Sequence, residues 1–124
     1  MSVKRTLIID DEPDIRELLE MTLMRMDIDT DSAANVTEAK NLLTQNKYDL
    51  CLTDMRLPDG NGLDLVQEIG EKYPNLPTAM ITAHGKIEDA VYALKLGAFD
   101  FVSKPVDLGV LRKLVNTALK LRKD

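Results

Sequence analysis

Short apolar runs alternate with segments of helical periodicity along the whole chain, and this alternation constrains the fold more than any other feature. The runs predicted as strands are residues 6–9, 28–33, 50–53, 78–82 and 99–103. A segment with apolar residues at helical spacing follows each run. Five strands alternating with five helices predict one α/β domain, in which a parallel sheet with right-handed crossovers carries helices on both faces.

Single residues mark the ends of several predicted helices. Pro13 suits a first helical turn, where its missing N–H needs no partner. Gly97 follows the fourth helix, where a left-handed residue often ends a helix. Asp107 is placed to cap the fifth helix. The fourth helix is predicted from one apolar face, formed by Ile87, Ala90, Val91 and Leu94.

The composition indicates a small soluble domain and argues against several classes of function. The 124 residues, 44% hydrophobic and 30% charged, suit one compact domain rather than a disordered chain. No apolar run approaches the roughly 20 residues of a membrane span, and the net charge of −5 argues against direct binding of nucleic acid. Cys51 is the only cysteine, which predicts a cytoplasmic protein without internal disulfides. Its apolar neighbours indicate a buried strand residue rather than a redox sensor.

Chemically capable side chains stand at the ends of four predicted strands. Asp10 and Asp11 follow the first strand, Asp54 follows the third, Thr82 ends the fourth, and Lys104 follows the fifth. In open parallel sheets, functional groups gather beyond the carboxyl ends of the strands. We therefore expect these five residues to converge.

Three converging carboxylates repel one another unless cations balance them. Mg²⁺ prefers carboxylate and carbonyl oxygens, and it often completes its shell with a substrate phosphate. Lys104 would supply a second positive charge. This combination suits phosphoryl transfer to an aspartate, in which the cations neutralise the oxygens of the transferred group.

Four stretches give the chain a family resemblance: TLIIDDE, DMRLPDGNG, MITAHG and GAFDFVSKP. Over essentially its whole length it resembles the receiver domains of bacterial response regulators. It is most similar to those that precede enhancer-binding transcription activators of the nitrogen-regulation type. The resemblance implies a flavodoxin-like, doubly wound (βα)5 fold with strand order 2-1-3-4-5.

The resemblance also implies roles for the acidic residues. Asp54 would be the phosphoacceptor, and Asp11 a direct ligand of Mg²⁺. Asp10 would bind the ion through water or assist, and Arg56 would contribute its backbone carbonyl. Leu57 stands where the family usually has methionine, a conservative change that affects no catalytic position.

The remaining implied roles concern the switch. Thr82 and Lys104 would contact the phosphoryl group, and the Lys104–Pro105 peptide bond would be cis. Phe101 occupies the position of the aromatic switch residue. A sensor histidine kinase would donate the phosphoryl group, and the fourth helix, fifth strand and fifth helix would then change their surface to control a homodimer.

Several alternatives stay open at this point. The chain would be one receiver domain over residues 1–124, either excised from the N-terminus of a longer transcription regulator or a natural single-domain protein. A phosphohydrolase would need an aspartate where Arg56 stands, and a pseudo-receiver would lack one of the key residues, all of which are present. Arg56 and His84 either tune dephosphorylation or are solvated side chains without a role.

Overall fold

The computed structural model describes residues 3–83 and 85–121, which form a five-stranded parallel sheet between two layers of helices. The strands of this sheet are β1 (Arg5–Ile9), β2 (Asp29–Ala33), β3 (Leu50–Thr53), β6 (Thr78–Thr82) and β7 (Asp100–Ser103). The helices are α1 (Pro13–Met24), α2 (Val36–Gln45), α3 (Gly62–Lys72), α4 (Ile87–Leu96) and α5 (Leu108–Leu121). The order β2-β1-β3-β6-β7 confirms the predicted 2-1-3-4-5 arrangement.

A short antiparallel hairpin, which the sequence reading did not predict, follows β3. It consists of β4 (Arg56–Leu57) and β5 (Gly60–Asn61), with Arg56 paired to Asn61 and Leu57 to Gly60. The predicted strands are otherwise correct to within one residue at each end. Strands of two residues have no periodicity to detect, so the pattern of apolar residues does not predict this hairpin.

The central strands are buried on both faces, as their continuous apolar sequences predict. One core lies between the sheet and helices α1 and α5, and it includes Ile8, Leu52, Leu19, Leu23, Leu111, Leu114 and Val115. The opposite face packs against α2, α3 and α4 through two further clusters, which include Leu7, Ile9, Cys51, Leu65, Ile69, Val66 and Met80. Helices therefore cover both faces of the sheet.

The predicted helix ends are confirmed. α1 begins at Pro13, Gly97 ends α4 with a φ of 122°, and the Asp107 carboxylate accepts a hydrogen bond from the Val110 amide at 3.0 Å. Within the part of the chain that is described, no helix is both long enough and apolar enough to cross a membrane.

The apolar face of α4 lies in water rather than in the core. Ile87 is 85% exposed, and Val91 and Leu94 are each about half exposed. Ala93 is the buried residue of this helix. Helical periodicity therefore located α4 but not its buried side.

Cys51 is fully buried in β3, as its apolar neighbours indicated. Burial raises the pKa of its thiol to about 12. Because the thiolate is the reactive form, we expect no alkylation of the folded protein by iodoacetamide near pH 8. Intact mass should show rapid alkylation once urea unfolds the chain. Comparable rates in the two states would contradict the buried position.

Candidate functional site

Backbone pairing carries three site residues one position beyond the ends of their strands. The Asp10 amide donates to the Ala33 carbonyl at 3.0 Å, and the Asp54 amide donates to the Ile9 carbonyl at 2.8 Å. The Lys104 amide donates to the Thr82 carbonyl at 2.9 Å. The ladder therefore fixes these residues side by side along the carboxyl edge of the sheet, as the strand order requires.

The Lys104 ammonium group lies at the centre of this edge and contacts three carboxylates. Its Nζ is 2.8 Å from Asp10 Oδ2, 2.9 Å from Asp54 Oδ2 and 3.0 Å from Glu12 Oε1. The side chains of Lys104, Asp10 and Asp54 are only 7%, 3% and 4% exposed, whereas that of Glu12 is 56% exposed. The sequence therefore predicted the convergence of Asp10, Asp54 and Lys104 correctly.

The remaining oxygens of the buried carboxylates are held by backbone groups. Asp54 Oδ1 accepts a hydrogen bond from the Met55 amide at 2.6 Å. Asp10 Oδ1 accepts one from the Glu12 amide at 2.9 Å, and the Arg16 guanidinium donates to the Asp10 carbonyl at 2.7 Å. Each aspartate therefore has one oxygen anchored and one facing the ammonium group.

Burial and ion pairing oppose each other in this cluster. Burial raises the pKa of Asp10, and the hydrogen bond from Lys104 only partly offsets this rise. Burial alone would lower the pKa of Lys104, but its hydrogen bonds to Asp10, Asp54 and Glu12 outweigh that effect and raise it. Lys104 is therefore charged over the whole physiological range.

The acidic residues are grouped closely enough to share a cation. Asp10, Asp11, Glu12 and Asp54 each offer a carboxylate oxygen, and these atoms lie within 4.8 Å of one another. Lys104 pairs with three of these four acids and Arg16 contacts the Asp10 carbonyl, so the acids outnumber the cations beside them. Oxygen donors with excess negative charge suit a hard divalent cation. The donor set therefore fits a metal ion of the magnesium type.

Thr82 and Phe101 lie on the paired strands β6 and β7. Thr82 is fully buried at the end of β6, and Phe101 is half-buried in β7. Gly85 lies close to both side chains, because a Cβ there would collide with the Phe101 ring and lie 3.2 Å from Thr82 Cγ2. The Phe101 ring and the Thr82 methyl group therefore border the same glycine in the described structure.

The structure also describes the Lys104–Pro105 peptide bond and the position of Arg56. The Lys104–Pro105 peptide bond is cis, as predicted. Arg56 begins β4 with an exposed side chain, and its amide lies 3.5 Å from Asp54 Oδ1. His84, which was interpreted either as tuning dephosphorylation or as a solvated side chain, lies outside the described residues.

Sequence reasoning missed Glu12 and Arg16 as members of the site. Glu12 directly follows the aspartate pair, which was the one available signal for its contact with Lys104. Arg16, near the start of α1, donates from its guanidinium group to the backbone carbonyl of Asp10. Such a contact leaves no pattern in the sequence, because any long donor on that helix face would serve.

Comparison with known proteins assigns the chain to a family. The profile described as "Response regulator receiver domain" matches residues 6–116. The chain belongs to this family. This receiver domain is 66% identical to the response regulator protein PilR of Pseudomonas aeruginosa over 122 residues, which are 98% of this chain and 27% of PilR.

A second relative confirms the predicted similarity to receiver domains of nitrogen-regulation-type activators. This receiver domain is 35% identical to the DNA-binding transcriptional regulator NtrC of Klebsiella pneumoniae over 112 residues, which are 90% of this chain and 24% of NtrC. The chain thus spans about a quarter of the length of these curated relatives.

Solved structures confirm the flavodoxin-like fold. The beryllofluoride-activated NtrC4 receiver domain dimer superposes with a TM-score of 0.91 at 30% identity, covering 95% of this chain and 98% of that one. The NtrX receiver domain from Brucella abortus gives a TM-score of 0.88 at 35% identity, covering 93% and 98%.

Proposed function

We propose that this receiver domain is a phosphorylation-activated switch of a two-component system, with Asp54 as the acceptor. The observation that carries the proposal is the position of Asp54 Oδ2, 2.9 Å from the buried Lys104 ammonium group, while Asp54 Oδ1 is anchored by the Met55 amide. One oxygen is thus presented beside a cation, and the other is fixed. A carboxylate held in this way can act as a nucleophile toward a phosphoryl group.

The transfer we propose starts from phosphohistidine on a sensor histidine kinase. Asp54 Oδ2 attacks the phosphorus, a P–O bond forms, the P–N bond to histidine breaks, and the leaving nitrogen takes up a proton. Lys104 neutralises charge on the transferred oxygens, and the Thr82 hydroxyl donates to one of them. Bound Mg²⁺ would be held by Asp11, Asp54 and the Arg56 carbonyl, with Asp10 binding it through water or assisting. It would neutralise further charge on the same oxygens.

The output we propose is a change of surface and of self-association. In the described structure the Phe101 ring and the Thr82 methyl group both border Gly85, so we expect movement of Thr82 toward a phosphoryl group to free space for the ring to turn inward. Phosphorylation would bias an existing equilibrium between two such arrangements. The exposed apolar face of α4 (Ile87, Val91 and Leu94) supports a homodimer through α4, β7 and α5. A similar receiver, beryllofluoride-activated NtrC4, is described as a dimer.

The proposal extends to the protein that would contain this domain. The curated relatives are about four times as long, which supports a receiver within a longer cytoplasmic transcription activator. The domain itself would bind neither nucleic acid nor membrane. It would catalyse only its own phosphorylation and dephosphorylation, because Arg56 stands where an aspartyl-phosphate hydrolase carries its general acid.

Phosphorylation by acetyl phosphate with Mg²⁺ tests the proposal. Intact mass should increase by one phosphoryl group in the wild type and in Asp64→Asn, which removes an exposed acid on α3. Asp54→Asn should show no increase. Beryllofluoride should shift the amide resonances of Thr82 and Phe101 in the wild type and in Asp64→Asn, but not in Asp54→Asn.

Two outcomes would count against the proposal. Equal labelling of Asp54→Asn and the wild type would move the acceptor to another residue. Sustained hydrolysis of p-nitrophenyl phosphate that depends on Asp54 would favour a phosphohydrolase instead.

A further inference from the structure

The turn of the β4–β5 hairpin is joined to the start of α2 by one side chain. Asp59 Oδ1 accepts a hydrogen bond from the Val36 amide at 2.7 Å. Asp59 Oδ2 accepts two more, from the Thr37 amide at 3.0 Å and the Thr37 hydroxyl at 2.7 Å. We call this set of three hydrogen bonds the hairpin clamp.

The clamp completes a helix end from outside the helix. An α-helix leaves its first four amides without intrahelical partners. Asn35 caps α2 by accepting from the Glu38 amide at 2.8 Å, while Asp59 takes the first two amides of the helix. The carboxylate also lies at the positive end of the helix dipole. Two residues therefore share the N-terminus of α2, one from the helix and one from the hairpin.

The hairpin also fits closely against α2 by shape. A Cβ at Gly60 would lie 3.0 Å from Val36 Cγ2, so the turn approaches the helix as near as a glycine allows. Leu57 is buried beneath the hairpin in the core shared with α2 and α3. The hairpin is therefore held against α2 both by the hydrogen bonds of Asp59 and by apolar contacts of Leu57 and Gly60.

A short path leads from the clamp to the acceptor. Pairing of β4 with β5 joins the turn to the base of the hairpin, where the Gly62 amide donates to the Met55 carbonyl at 2.7 Å. The Met55 amide in turn donates to Asp54 Oδ1 at 2.6 Å. The group that orients Asp54 thus belongs to the same small hairpin that Asp59 ties to α2.

We propose that Asp59 is a positioning residue for phosphoryl acceptance, because the hairpin clamp fixes the loop that orients the Asp54 carboxylate. This inference rests on the proposed function of Asp54. Asp59 contacts no reacting atom, so it acts through Met55 and the hairpin. Partners that orient the groups of a site typically contribute 10–100-fold to its binding or activity.

Asp59→Ala and Asn35→Ala form a matched pair for the test. Both remove a cap from the N-terminus of α2, but only Asp59→Ala detaches the hairpin. We expect Asp59→Ala to slow labelling by acetyl phosphate roughly tenfold, and Asn35→Ala to stay within about twofold of the wild type. Asp59→Asn keeps one acceptor oxygen and should recover part of the rate.

Amide hydrogen exchange supplies a readout that does not need phosphorylation. The Met55 and Gly62 amides should exchange about tenfold faster in Asp59→Ala and at the wild-type rate in Asn35→Ala, because only the first variant opens the hairpin locally. Urea unfolding of both variants measures their stability, so a shared loss of folding can be separated from a local effect.

The outcomes separate this inference from the proposed function. If the wild type is not labelled, the phosphoacceptor proposal fails, while hydrogen exchange still tests the clamp. If the wild type is labelled and Asp59→Ala matches it, Asp59 has no positioning role. Equal slowing of Asp59→Ala and Asn35→Ala overturns the inference too, because it would reduce Asp59 to an ordinary helix cap.

Discussion

Gly62→Ala is expected to lower the free energy of unfolding by about 3 kcal/mol, the upper end of the range for overpacking a tight site. A Cβ at position 62 would collide with the carbonyl oxygen of Asp54, and it would lie 3.0 Å from the carbonyl carbon and 3.1 Å from Met55 Cα. Gly62 is buried, and all three atoms belong to backbone that cannot turn aside. The loop that orients Asp54 must therefore shift, and labelling by acetyl phosphate should fall with stability.

Gly70→Ala is the matched control for this substitution. Gly70 lies in the same helix, is exposed, and would place its Cβ no closer than 3.7 Å to the Leu96 carbonyl. Alanine is favoured over glycine inside a helix, so this variant should gain about 0.5–1 kcal/mol. Urea unfolding should show a lower free energy of unfolding in Gly62→Ala and a higher one in Gly70→Ala. A similar change in both would show that helix propensity, rather than the contact with Asp54, governs position 62.

Lys104→Met is expected to lower the free energy of unfolding by about 3 kcal/mol when no divalent cation is present. The substitution leaves Asp10 and Asp54 buried without the ammonium group that lies 2.8 and 2.9 Å from them. Added Mg²⁺ should recover part of the loss by supplying positive charge, and it should stabilise the variant more than the wild type. Urea unfolding with Mg²⁺ and with EDTA measures both effects.

The free energy of unfolding that Lys104→Met loses should increase as pH rises. Burial already raises the pKa of Asp10, and removal of Lys104 removes the hydrogen bond and charge that oppose this rise. An acid with a raised folded-state pKa contributes stability below its unfolded pKa, and it loses that stability as pH rises through the folded pKa. The deficit relative to the wild type should therefore be smaller at about pH 5 than at about pH 8.

Lys72→Met is the control for a lysine ion pair at the surface. Lys72 is 63% exposed and lies 3.6 Å from Glu68, so its loss should change stability by less than about 0.5 kcal/mol. We expect Asp10 and Asp54 to be left without a compensating charge in Lys104→Met. A loss of stability as small as that of Lys72→Met, or one that does not vary with pH, would contradict this expectation.

Much of the fold could be predicted because buried parallel strands have a simple signature. Residues 50–53 and 78–82 are continuous apolar or small runs, and their predicted bounds match β3 and β6. Such strands bury both faces, so nearly every position must be apolar. The strand order followed from the family resemblance, since local patterns do not specify which strands become neighbours.

The buried side of α4 could not be predicted from the same signature. Periodicity reports that apolar residues share a face, but not whether that face meets the core or a partner. In α4 the stripe of Ile87, Val91 and Leu94 is exposed, and the small residue Ala93 contacts the core. Leu96, at the end of α4, packs partly against the same core, and the apolar stripe lies on the other side of the helix, where it can meet another surface.

The candidate site was predictable where the backbone alone decides the position. Strand ends placed Asp10, Asp54 and Lys104 together, as the sheet topology requires. The contact of Glu12 with Lys104 depends on side-chain length and rotamer, which the sequence does not encode locally. The role of Asp59 could not be predicted from the sequence, because its partners on α2 lie more than 20 positions earlier.

The wide spacing of the site residues ties chemistry to completion of the fold. The contact between Lys104 and Glu12 joins residues 92 positions apart, and Lys104 enters the sheet only when β7 pairs with β6. Contacts between such distant residues form late, because closing long loops costs entropy before any contact repays it. A folding intermediate that lacks β7 has no ammonium group beside Asp54. During synthesis, a receiver that accepts phosphate through Asp54 would thus gain this activity only after β7 has paired with β6.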